Sequence, residues 1–98
     1  MEQKELLKLE QIYKMLGSAV RLKILLSLEA GERSAGQLAE VCGLSQSAAS
    51  HQLKDLRQYK IIKSRKEGMN VFYSLQDRHI LEMLLVGVEH INEINCDG

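Results

Sequence analysis

The stretch Ala39-Glu-Val-Cys-Gly-Leu-Ser-Gln-Ser-Ala-Ala-Ser-His-Gln-Leu-Lys-Asp-Leu-Arg57 reads as the end of one helix, a tight turn and the start of another. Just upstream, Ser34-Ala-Gly-Gln37 has the spacing of a capping box, in which the Ser hydroxyl and the Gln amide each satisfy a backbone N–H of the other. It opens a short helix from Ala35 to Cys42, which Gly43 stops. After Gly43-Leu44, Ser45 is a good N-cap for a second helix from Gln46 to about Gln58. Ala48, Ala49, Leu53 and Leu56 supply its buried side and leave Gln46, Ser47, Ser50, His51 and Lys54 facing outward. Two short helices joined by a Gly-Leu-Ser turn make a helix-turn-helix by length, cap and turn residue.

Outward from this unit, Leu6, Leu9, Tyr13 and Leu16 fall at helical spacing from about Lys4 to Leu16. Gly17-Ser18 breaks that helix, and Ser18 caps the next, Ala19 to Leu28, which is nearly apolar all round except at Arg21 and Lys23 and ends at Gly31. Beyond Lys60 the period changes. Ile61-Ile-Lys-Ser-Arg65 and Val71-Phe-Tyr-Ser-Leu75 are β-rich runs flanking Lys66-Glu-Gly-Met-Asn70, the pattern of a hairpin. A basic hairpin directly after a helix-turn-helix is a wing. A final helix runs from near Asp77 to about Asn95, with Ile80, Leu81, Leu84, Leu85, Val88 and Ile91 apolar. The expected fold is therefore mainly α with a small β-hairpin, a winged helix-turn-helix in the order four helices, two strands, one helix. Residues 1–98 are expected to form a single winged-helix domain, dimerising through helices at about 4–16 and 78–95.

With 98 residues the chain supports one small core, which burial in a dimer would reinforce. The absence of Pro and Trp agrees with a helical chain. No apolar run nears the ~20 residues that span a bilayer, so no membrane partner is expected. The charged start MEQKELLKLEQ does not resemble a signal peptide. Two cysteines make no disulfide framework, which points to the cytoplasm. Net charge is zero, but it is unevenly spread. Residues 51–70 carry Lys54, Arg57, Lys60, Lys63, Arg65 and Lys66 against Asp55 and Glu67, whereas residues 79–98 carry only acidic charge. One end suits phosphates and the other suits cations.

Chemistry is expected at both ends. On the recognition helix, Gln46 can pair with adenine, Ser47 and Ser50 can reach bases or phosphates, and Lys54, Arg65 and Lys66 can add backbone charge. His51 reads equally well as a packing residue. At the other end, Asp77-x-His79 and His90-x-x-Glu93 place two imidazoles and two carboxylates on the last helix. His79 and His90 stand three turns apart, roughly 16 Å along the axis. A zinc ion needs its ligands at ~2.0–2.2 Å, so one chain cannot close the site but two antiparallel copies can. Such an N₂O₂ set suits tetrahedral Zn(II). Co(II) fits the same ligands, and Ni(II) fits with added ones.

The quoted stretch, followed by Arg65-Lys-Glu-Gly-Met-Asn-Val-Phe-Tyr-Ser-Leu75, resembles the ArsR/SmtB family of metal-sensing winged-helix repressors over nearly the whole chain. The resemblance implies that Gln46, Ser47, Ser50 and His51 match DNA-contacting positions of the recognition helix. It further implies a homodimer on an imperfect inverted-repeat operator, repressing in the apo state and leaving when the effector binds. The Cys-x-Cys site of one subgroup has no counterpart in Ser34-Ala-Gly-Gln-Leu38. The Asp-x-His and His-x-x-His/Glu pattern of another is matched by Asp77, His79, His90 and Glu93.

Three other readings compete. A thiol sensor of the same fold would use Cys42 and Cys96, although Cys42 sits at an apolar position where Cys acts as a small hydrophobe. A zinc hydrolase with Glu93 as base lacks a pocket and a complete ligand set on one chain, so no enzyme is expected. A constitutive DNA-binding protein would show no metal effect.

Overall fold

The computed structural model describes residues Met1–Asp97. Helix α1 (Gln3–Leu16) precedes α2 (Ala19–Ser27), and the Ser18 hydroxyl accepts the Arg21 N–H as the N-cap of α2. The capping box at Ser34 and Gln37 is formed in both directions and opens α3 (Ala35–Cys42). Gly43 ends α3 at φ 66°, a left-handed conformation that glycine adopts without a side-chain clash. The Ser45 hydroxyl then accepts the Ala48 N–H and starts α4 (Gln46–Gln58). All three caps act where the residue types indicate.

The sheet differs from the expected two-stranded hairpin. Arg33–Ser34 forms a short strand, β1, antiparallel to β3 (Asn70–Leu75), which in turn pairs with β2 (Ile62–Glu67), giving the order β1-β3-β2. Two residues carry no legible period, and Ser34 both caps α3 and pairs with Phe72. The strands also run further than expected, so that only Gly68 and Met69 separate them.

Helix α5 (Arg78–Asp97) completes the chain. Ile24, Leu25, Leu38, Leu53, Leu56, Ile61 and Ile62 are fully buried, joining α2, α3, α4 and β2 in one core. Among the described residues of the outer helices, only Ile80 and Leu84 of α5 and Met15 of α1 are buried in it. Leu16 packs partly against the core, but much of both apolar stripes lies open, including Leu6, Leu7 and Tyr13 on α1 and Val86, Ile91 and Ile94 on α5. The core therefore holds the recognition helix rigidly, while the outer helices are each packed on one side only.

Candidate nucleic-acid interface and metal-ligating helix

Ala49, Leu53 and Leu56 turn one face of α4 into the core, and this orients Gln46, Ser47, Ser50, His51 and Lys54 outward, all exposed. The Ser47 hydroxyl lies 3.4 Å from that of Ser45, beside the helix N-terminus. His51 Nε2 stands 3.7 Å from Asp55 Oδ2 one turn along, a pair that becomes ionic only when the imidazole is protonated. Between α4 and the sheet runs a cleft of about 350 Å³ lined by Ser50, Leu53, Lys54, Arg57, Gln58 and Tyr73. Arg57 Nη1 donates to Ser64 Oγ at 3.2 Å, tying α4 to β2. Arg57 and Tyr73 were not among the expected contact residues. Arg57 was legible, because it follows Lys54 by three residues and Ser50 by seven, and so shares their helical face.

The wing holds a second departure. Arg65, expected to meet phosphate, is occupied within the chain: Nε and Nη2 donate to the two Glu32 carboxylate oxygens at 2.7 Å each, and Nη1 donates to Glu67 at 2.6 Å. The Arg65 hydrogen bond, foremost, holds the Glu32 carboxyl below its ordinary range, and the two carboxylates push the Arg65 guanidinium up. Lys54, Lys63 and Lys66 have no ion-pair partner among the described residues.

At the start of α5, Asp77 Oδ1 accepts the Ile80 N–H at 3.2 Å and lies 3.4 Å from His79 Nδ1. Asp77 is thus the N-cap, and its non-helical backbone lets the two side chains converge although they are only two residues apart. His90 and Glu93 are exposed further along the same helix. Among the described residues no three His, Cys, Asp or Glu side chains gather on one chain. The structure thus brings Asp77 and His79 together but leaves His90 and Glu93 apart from them. The donor set still fits a divalent cation, because the first pair is converged and exposed and the second is spaced i,i+3. His79 also sits at the polar edge of an apolar groove of about 710 Å³, lined on α1, α2 and α5 by Tyr13, Leu16, Leu26, Met83 and Ile91 among others.

Cys42 is half-buried against the core, and burial pushes its thiol up despite the opposing influence of Lys23. A raised thiol holds less of the reactive thiolate. The Cys96 side chain lies outside the described residues. No helix among the described residues is long and apolar enough to cross a membrane.

Comparison with known proteins agrees with this geometry. Residues 18–64 match the model of the "Bacterial regulatory protein, arsR family". A "Transcriptional repressor SmtB homolog" from Synechocystis sp. is 34% identical over 97 residues, covering 93% of this chain and 74% of that protein. A "Cadmium resistance transcriptional regulatory protein CadC homolog" from Staphylococcus aureus is 37% identical over 90 residues, covering 90% of this chain and 74% of the other. Among solved structures, reduced HlyU from Vibrio cholerae superposes with a TM-score of 0.78 at 34% identity, covering 86% of this chain and 88% of that one. With its winged helix-turn-helix and these relatives, the chain belongs to the ArsR/SmtB family of DNA-binding transcriptional regulators and is not an enzyme.

Proposed function

We propose that this protein is a metal-responsive transcriptional repressor, which binds operator DNA as an apo homodimer and is released by Zn(II) held between the C-terminal helices. The observation that carries the reading is the convergence of Asp77 and His79 at the start of α5, 3.4 Å apart, with His90 and Glu93 exposed further along the same helix. In an antiparallel pair of α5 helices, Asp77 and His79 of one chain face His90 and Glu93 of the other. Two-fold symmetry then makes two equivalent sites. The open apolar stripes of α1 and α5 support a second copy of the chain as the occupant of that face, since exposed contiguous apolar surface of this kind marks an interface.

On DNA, Gln46, Ser47, Ser50 and His51 read the major groove, while Lys54, Arg57, Lys63 and Lys66 contact phosphates of an imperfect inverted repeat. Arg65 is left outside the direct contacts in this reading, because three of its five N–H donors are already held by Glu32 and Glu67. When bound, the cation supplies a link of fixed geometry between the two chains. The residues of α5 and α1 then set the separation of the two recognition helices, and a separation that misses successive major grooves lowers operator affinity. Co(II), or Ni(II) with added ligands, fits the same donors. The single domain works in the cytoplasm, where the operator is.

Titration of a duplex selected by the protein from a randomised pool, at fixed salt with and without Zn(II), tests this reading. Zinc weakens binding by the unaltered protein and leaves His79→Ala bound. DNA binding that zinc does not alter would remove the central claim. The thiol-sensing alternative through Cys42 and Cys96 draws on the likeness to reduced HlyU, but the raised Cys42 thiol weighs against it. A doubly Ser-substituted variant that still responds to zinc disposes of it.

A further inference from the structure

Arg65 on β2 stands opposite Phe72 on β3, and Phe72 stands opposite Ser34 on β1, so the three form one row across the sheet. The guanidinium lies over the Phe72 ring at 5.0 Å and reaches past it to Glu32, in the loop leading into β1. Two parallel bonds of 2.7 Å join Arg65 to Glu32, 33 residues away, while a third donor is held by Glu67 on the same strand. Bidentate, charge-assisted bonds of this kind fix orientation as well as distance. Ile62, Tyr73 and Leu75 anchor the base of the hairpin to the core, while β1 pairs with it over only two residues, so the strap acts nearer the tip. An exposed ion pair contributes little to global stability, so fold maintenance does not account for the arrangement. Lys63 and Lys66 flank Arg65 on the same strand and have no ion-pair partner among the described residues.

We propose that Arg65 is a wing-positioning residue: with Glu32 and Phe72 it straps the β2–β3 hairpin to the loop before β1, and so holds Lys63 and Lys66 against the DNA backbone without touching phosphate itself. The proposal rests on the DNA-binding reading of the wing. It carries a distinctive sign. Removing an acidic charge from a DNA-binding face should strengthen binding by electrostatics alone, yet loss of Glu32 here weakens it.

The test uses Glu32→Gln, Arg65→Gln and the double variant, on the same selected duplex. Glu32→Gln is expected to lose roughly two- to fivefold in affinity, with the slope of log K against log salt falling by about one for each wing lysine that leaves its phosphate. The thermal midpoint stays within error, and the double variant binds no more weakly than Arg65→Gln, because the two residues act as one unit. Unchanged or tighter binding by Glu32→Gln overturns the proposal. So does additivity in the double variant, which would make Arg65 a phosphate ligand in its own right. Amide exchange of the DNA-free protein gives an independent reading: the hairpin amides of Glu32→Gln exchange several-fold faster, and unaltered exchange also overturns the strap. If the unaltered protein bound no duplex at all, the DNA-binding reading of the wing would fail, and the exchange measurement would still decide the strap.

Discussion

Arg21 on α2 donates from Nε to Oε1 of Gln52 on α4 at 3.0 Å, linking residues 31 apart in sequence. Among the described residues this is the one side-chain hydrogen bond between those helices. It adds a polar link to the apolar packing of Ala49, Leu53 and Leu56 that orients the recognition helix, and joins it to the helix that also borders the α1–α5 groove. Both side chains are half-buried, so the bond is partly shielded from water. Gln52→Ala is expected to lower unfolding free energy by about 1–2 kcal/mol, as for a hydrogen bond to a charged donor. Chemical denaturation of Gln52→Ala, Arg21→Ala and the double variant measures the coupling, and strict additivity would show that the bond contributes nothing.

The proposed DNA-binding face of α4 predicts two kinds of contact with different signatures. Lys54→Ala and Arg57→Ala are each expected to weaken binding evenly across sequences and to reduce the salt slope by about one. Ser47→Ala, which leaves charge untouched, is expected to relax preference at one base pair at a cost of about 1–3 kcal/mol. Binding measured over a salt series and a panel of single-base duplex variants distinguishes the two patterns. Arg57→Ala also removes the bond to Ser64, so its effect should exceed that of Lys54→Ala.

A metal site shared between chains makes a prediction that no single-chain site can meet. Mixed dimers of Asp77→Ala/His79→Ala with His90→Ala/Glu93→Ala contain one site with all four ligands and one with none. They are expected to bind zinc at half the stoichiometry of the unaltered dimer, while each variant alone binds none tightly. Equilibrium dialysis on separately tagged, co-purified dimers measures this. Full loading by either variant alone would place the ligands elsewhere.

The strap has a defined pH window. Its Arg65 hydrogen bond, first, holds the Glu32 carboxyl below its ordinary 4.5 against desolvation, the next largest influence, and the Arg65 and Lys63 charges add to the lowering. Glu67 is the other acidic group on Arg65. A carboxylate depressed in the folded state contributes its stabilisation above its unfolded pKa and loses it as pH falls through the folded value. The Arg65–Glu32 contact is therefore expected to be complete at neutral pH and to persist into mild acid, opening only below the usual carboxylate range. The Arg65 Nε–H resonance followed through an acid titration reports it, and a midpoint at or above the ordinary value would contradict the assignment.

Much of the fold was legible because its signals are local. Ser18, Ser34 and Ser45 each cap the helix that follows, and Gly43 stops one, through contacts within a few residues. The apolar spacing of α4 identified its inner and outer faces before any contact was known. The exposed polar set Gln46, Ser47, Ser50, His51 and Lys54 follows from that spacing alone. Strand β1 is not legible because two residues have no period, whereas the place of Arg57 on the Ser50–Lys54 face follows from spacing and not from charge composition.

By itself, the sequence determined the order of helices and hairpin, the orientation of the recognition helix and the presence of four potential ligands, Asp77 at the cap of α5 and His79, His90 and Glu93 along it. Tertiary structure alone decided what Arg65 does, because its partner Glu32 lies 33 residues away and only the β1-β3-β2 order brings them together. It likewise decided that the apolar stripes of α1 and α5 remain open on this chain. Caps and periodicity act over one or two helical turns. A strap across a sheet and an uncovered helix face depend on how distant segments meet, which no local pattern encodes.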